Sequence, residues 1–156
     1  MALERFSVIT PSCSIAPCLA ILVSVGITPL DATAIHEAIV QPAPSGEMFA
    51  DGIRVEGLRV LAQHHIEEGM TSCVKYTREQ NPWASQKRTP EIMKILLGYG
   101  SQAKATIPEL EKIAHYFEKE EPDFPKNLGL QKANSVRDTI KAIESSTDTP
   151  TLIKLH

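Results

Sequence analysis

Apolar positions recur every three to four residues along most of the chain, the period of an α-helix with one buried face. Asp51 reads as an N-cap, followed by Ile53, Gly57, Leu58, Leu61 and His65 on one helical stripe. After a break at 66–68, Met70, Cys73, Val74 and Thr77 form a second stripe that ends near Asn81-Pro82. Thr89-Pro90 reads as the next start, with Ile92, Ile95, Leu96 and Tyr99 inward and Gly98 and Gly100 as terminators. Thr106-Ile107-Pro108-Glu109 has the form of a capping box ahead of Leu110, Ile113, Ala114 and Phe117. A breaker run at 121–125 (EPDFP) precedes a last helix over about 127–144, through Ala133, Val136, Ile140 and Ile143. No segment alternates with period two over a strand's length, so the pattern predicts an all-α fold.

The N-terminal third adds one helix and one ambiguity. Thr28-Pro29-Leu30-Asp31 combines an N-cap, a first-turn proline and an acidic variant of the capping box. It predicts a helix from Pro29 to about Val40 with Leu30, Ala34, Ile35 and Ala38 on one stripe, stopped by Pro42 and Pro44 in a tight 41–46 connection. Upstream, 13–30 is the most hydrophobic part of the chain. As a signal peptide it has Arg5 before the apolar centre and Ala32-Thr33-Ala34 as a cleavage site, but Glu4 cancels Arg5 and Asp31 crowds the cut. A short buried helix, opened by Pro17 and closed by Gly26, fits better.

Two helical hairpins overlay, with Gly57, Val60, Leu61 and His64 on Ile92, Ile95, Leu96 and Tyr99, and Met70, Cys73 and Thr77 on Ile107, Leu110 and Ala114. A period of about 36 residues falls in the range of helical repeats, whose hairpins bury their faces by stacking; an ordinary bundle also yields such overlays. The stretch LLGYGSQAKATIPEL, Leu96 to Leu110, resembles the centre of a HEAT repeat. Such repeats end a first helix with Leu-Gly, place Ala in the turn and open the second with an apolar-Pro-x-Leu. The 52–79 hairpin departs from this, with His64-His65-Ile66 where glycines are expected and no proline opening its second helix. The run 34–117, with APSGEMFADGIR at 43–54 and HHIEEG at 64–69, is similar to the C-terminal helical region of a family of large bacterial proteins with no assigned activity. That likeness covers roughly half the chain and implies the tail of a longer ancestor, with no catalytic motif to carry over.

Composition narrows the classes. The 156 residues suit a single all-helical domain over 1–156, irregular at 1–16 and with a tail at 145–156. Sixteen Lys and Arg against nineteen Asp and Glu, a net charge of −3, disfavour a nucleic-acid array, and eight aromatics leave little for base stacking. No apolar run is long enough to span a membrane. Three cysteines, Cys13, Cys18 and Cys73, make no disulfide framework. They suit a reducing compartment, so the cytoplasm is the default, with export if the N-terminal segment is a signal peptide.

Candidate chemistry is sparse. His36-Glu37 begins the zinc-protease motif, but Val40 stands where its second histidine belongs. His64, His65, Glu67 and Glu68 are the densest set of metal-ligand types. A helix continuing through Ile66 would put His64 and Glu68 on one face, with Cys73 or His115 to complete the set. A helix C-terminus favouring histidine, followed by an acidic first turn, explains the same residues. Ser45 and Ser101 lack the glycines of a nucleophile elbow, and Cys73 on its apolar stripe reads as a core thiol. Trp83, in an expected polar loop at 81–88 beside Lys87 and Arg88, has the composition of an anchor for a partner chain or a sugar ring. Alternatively it folds back on the hairpin, with Arg88 paired to an acid. Lys126, Lys132, Arg137 and Lys141 read as a solvated face.

The expectation is an all-α fold of stacked antiparallel helix hairpins, either a HEAT-like α-solenoid fragment or an irregular helical bundle. Its expected role is non-catalytic scaffolding of a protein partner or of another domain of a longer chain, with self-association through the N-terminal apolar helix. No cofactor, nucleic acid or membrane is implied. The alternative is a metal-dependent hydrolase or other enzyme fragment using His64, His65 and Glu68.

Overall fold

The computed structural model describes residues 28–40, 48–80, 82–121 and 127–155. The expectations for the 13–27 segment, the 41–46 connection, the 122–125 breakers, Lys126 and the Trp83 side chain lie outside the described residues. Among those residues the fold is all-α. Its helices are α1 (Pro29–Val40), α2 (Met48–Gln63), α3 (Glu67–Arg78), α4 (Pro82–Leu96), α5 (Ile107–Lys119) and α6 (Leu128–Ser145). Turns of 3-10 helix over Leu97–Thr106 join α4 to α5, kinked at Gly100.

The capping box at α1 forms. Asp31 Oδ2 accepts the Thr28 N–H at 2.9 Å, and Thr28 Oγ1 accepts the Asp31 N–H at 3.2 Å. The buried face of α1 is rotated from expectation, however. Ala32, Ile35 and Ile39 are buried while Leu30 is 79% exposed, and Ala34 and Ala38 are also exposed. Gly57 on α2 decides this, because the Ile39 side chain lies where a Cβ on residue 57 would stand.

Three expected helix starts are corrected. Asp51 is not an N-cap, since α2 begins at Met48 and places Asp51, 1% exposed, inside its first turn. Thr89-Pro90 is not a start either. Pro82 begins α4, so most of the expected 81–88 loop is helix and Pro90 lies in its interior. At Thr106 no capping box forms, because its backbone is α-helical rather than extended. The hydroxyl donates to the Ala103 carbonyl at 2.7 Å instead.

Packing follows a nearest-neighbour order. α1 pairs with α2, α3 with α4, and α5 with α6, while α2 packs on α4 and α4 on α6. Neither α1 nor α2 touches α5 or α6. The expected hairpin across 92–114 does not form a packed pair, because α4 and α5 make no contact. The 3-10 turns between them carry the chain from one hairpin to the next. Leu58, Leu61, Cys73, Ile92, Leu96, Tyr99, Leu110, Val136 and Ile143 belong to one continuous core.

The charges of α6 are not a uniform solvated face. Lys132 is 2% exposed, paired with Glu121, and its Nζ lies 4.1 Å from the centre of the Phe117 ring. Burial holds its pKa below the ordinary lysine value, against the pull of Glu121. Lys141 and Asp138 do form an exposed pair.

After α6 the chain turns back across the stack as an extended segment. Ile153 N–H donates to the His65 carbonyl and Glu67 N–H to the Ile153 carbonyl, both at 2.9 Å, a single parallel bridge rather than a sheet.

Candidate functional site

The α2–α3 junction holds the histidines and acids singled out in the sequence. α2 ends in a Schellman arrangement, with His65 N–H donating to the Ala62 carbonyl at 3.1 Å and Ile66 N–H to the Leu61 carbonyl at 2.9 Å. His65 takes the left-handed conformation, φ 52°, that glycine usually supplies. Ile66 is buried against the core and extended, so the helix does not run through it.

That geometry removes the condition for a His64–Glu68 metal pair. The two residues lie on either side of a chain reversal, not one turn apart on one helix. Glu67 pairs with Lys154 at 3.4 Å, and Glu68 Oε1 accepts the Leu155 N–H at 3.0 Å. Cys73 is fully buried, and burial pushes its thiol far above the ordinary 9.0. His115 is exposed on α5. Among the described residues no three His, Cys, Asp or Glu side chains gather to hold a metal ion, which argues against the metal-hydrolase alternative.

The Trp83, Lys87 and Arg88 set is divided between a helix start and a buried network. Trp83 stands on the first turn of α4 and Lys87 is exposed. Arg88 reaches back to Asp51 Oδ2 at 2.7 Å, and Arg54 holds the other oxygen at 3.0 Å. Arg54 also donates through Nε to the Ile39 carbonyl at 3.3 Å, and Tyr76 Oη donates to that oxygen at 2.8 Å. Asp51 thus ties three elements together at the C-terminal end of α1. Two cations on one carboxylate make a structural pin.

Two surfaces went unseen in the sequence. An open groove of about 840 Å³ runs between α3 and α5, floored by Val74, Ile113 and Tyr116. Arg78 stacks on the Tyr116 ring, 5.0 Å from its centre. Lys75, Lys112, Glu79 and Glu120 mix both signs along its rim. The second surface is the strip under the C-terminal segment. Ser101 N–H donates to the Asp148 carbonyl at 2.6 Å, Gln102 Nε2 donates to the Pro150 carbonyl at 3.1 Å, and the hydroxyls of Ser101 and Thr149 meet at 2.7 Å. The pairing of Ser101 with Asp148 follows the kink at Gly100 and joins residues forty-seven positions apart, which no local motif announces.

Compared with protein-family models, curated proteins and solved structures, the chain matches none. No helix among the described residues is long and apolar enough to cross a membrane.

Proposed function

We propose that the chain is a non-catalytic module of stacked helical hairpins that binds a protein partner or another domain of a longer chain; the 96–110 stretch that resembles a HEAT turn joins two helices that do not pack on each other. The observation that carries this reading is the packing order. Helices of the first and third hairpins never touch, so the hairpins add side by side as repeats do. Polar residues where chemistry was conceivable are engaged in holding the fold: Asp51 and Arg88 with each other, Glu67 and Glu68 with the C-terminal segment.

Association is expected through the N-terminal apolar segment, which lies outside the described residues. Among those described, Leu30, Ala34 and Ala38 are exposed on α1 and add apolar surface for association. Sedimentation velocity of the full chain over a wide concentration range, beside Leu30→Glu, tests this. The module reading expects association that the substitution weakens. A strictly monomeric wild type with metal-dependent hydrolysis lost in His64→Ala would overturn it.

A further inference from the structure

We infer that residues 146–155 form a strap that fixes the angle between successive hairpins, and with it the width of the groove between α3 and α5. Such a strap works whether or not a partner occupies the groove.

Among the described residues three hairpins leave two junctions, at 64–66 between the first and second and at 97–106 between the second and third. The segment is anchored at both. At the later junction Ser101 N–H donates to the Asp148 carbonyl at 2.6 Å and Gln102 Nε2 to the Pro150 carbonyl at 3.1 Å. At the earlier one Ile153 N–H donates to the His65 carbonyl and Glu67 N–H to the Ile153 carbonyl, both at 2.9 Å. Leu155 N–H adds a bond of 3.0 Å to Glu68 Oε1, and Leu152 and Leu155 pack against the core. Gly100 permits the close approach, since a Cβ there would meet the Asp148 carbonyl.

The link between the two sets of anchors is short. Pro150 and Ile153 are three residues apart, about 10 Å of fully extended chain. Pro150 also removes one backbone rotation from that span. The junctions therefore cannot separate along this edge without breaking a bond.

Inside the fold the same junctions meet through the Tyr99 hydroxyl, which donates to the Ile66 carbonyl at 2.9 Å. That bond fixes a separation and leaves rotation about it, which the strap anchors oppose. α3 starts at Glu67, on the earlier anchor, and α5 starts at Ile107, just past Gln102 on the later one. These two helices are the walls of the groove floored by Val74, Ile113 and Tyr116. Rotation at the junctions opens or closes it.

The test compares full-length Leu152→Asp/Ile153→Pro with the wild type and with Ile153→Ala. Proline removes the N–H that binds the His65 carbonyl, and aspartate removes a packed leucine. Alanine keeps the N–H and loses only a side chain that is 46% exposed. Cys13 and Cys18 are replaced by serine and the buried Cys73 is kept. Spin labels at Lys75→Cys and Lys112→Cys then read the distance across the groove, and a pair at Lys112→Cys and Lys141→Cys reads the third hairpin alone. In the double variant the Glu67 and Leu155 amides should exchange faster, and the distance across the groove should broaden or shift by about 2 Å or more. The third-hairpin distance and the helical circular dichroism should not change, and Ile153→Ala should match the wild type throughout. A released strap with an unchanged groove distance would overturn the inference, since the stack would then hold its angle unaided. Amides that stay protected would overturn it too, as would an equal shift in Ile153→Ala. Loss of helix or of the third-hairpin distance would make the segment part of the core instead of a spacer, and would overturn it as well.

Discussion

Tyr99 Oη donates a hydrogen bond of 2.9 Å to the Ile66 carbonyl, joining the kinked segment after α4 to the turn between α2 and α3. Both residues are buried, and Gly69 lies directly beside the hydroxyl: a Cβ there would collide with Tyr99 Oη and come within 2.9 Å of Leu61 Cβ. The Ile66 carbonyl also accepts the Gly69 N–H at 3.0 Å, so it keeps a partner when the tyrosine hydroxyl is removed.

Tyr99→Phe should therefore cost about 1 kcal/mol, the net worth of one hydrogen bond. Gly69→Ala should cost about 1–3 kcal/mol through overpacking, despite alanine's better helix propensity. In the Tyr99→Phe background the Gly69→Ala penalty should shrink, because the colliding atom is gone. Urea denaturation of the four proteins in the cycle checks this, and strict additivity would place Gly69 and Tyr99 apart.

Asp51→Ala should be among the most damaging single changes, about 3–5 kcal/mol, because it leaves Arg54 buried without its carboxylate. Arg88→Ala should cost less, since Arg54 still holds Asp51. Thermal unfolding of both variants tests the ranking.

Stability should fall as pH climbs past 9.0. The buried Cys73 thiol has its pKa raised, so between its ordinary value and its folded one the native state holds a proton that the unfolded chain has released. That difference lowers stability by about 1.4 kcal/mol per pH unit for each such group. Tyr99, also raised by burial, adds to the slope above 10.0. Cys73→Ala should flatten the alkaline limb of a stability–pH curve by one proton's worth. An unchanged slope would mean the thiol ionises inside the fold.

Gly100→Ala should detach the C-terminal segment while sparing the helices. The backbone there is strained for any residue with a Cβ, about 1–3 kcal/mol, and the added atom meets the Asp148 carbonyl. Hydrogen exchange should show faster exchange at Ile153 and Leu155 with α5 and α6 still protected.

Helix existence was legible because the apolar period is strong. α6 was placed within one residue at each end, and Leu110, Ile113, Ala114 and Phe117 are buried on α5 as the spacing implies. Caps were less legible. Thr28 and Asp31 form the box their spacing suggests, whereas Thr106 and Glu109 do not, because the 3-10 turns before α5 leave Thr106 with a helical backbone. The face of α1 was misjudged because the helix has two apolar stripes, and only the position of Gly57 on another helix selects between them. The same limit hid the partnership of Asp51 with Arg88, thirty-seven positions apart. The left-handed His65 carried no glycine to mark it.

The most direct test of a stack built from neighbouring hairpins is native-state hydrogen exchange on full-length Ile35→Ala, a buried position on α1 beside Gly57 of α2. Protection should drop over α1 and α2 and persist over α5 and α6, which make no contact with them. A uniform loss across the six described helices would contradict the account, showing one indivisible globule instead of separable hairpins.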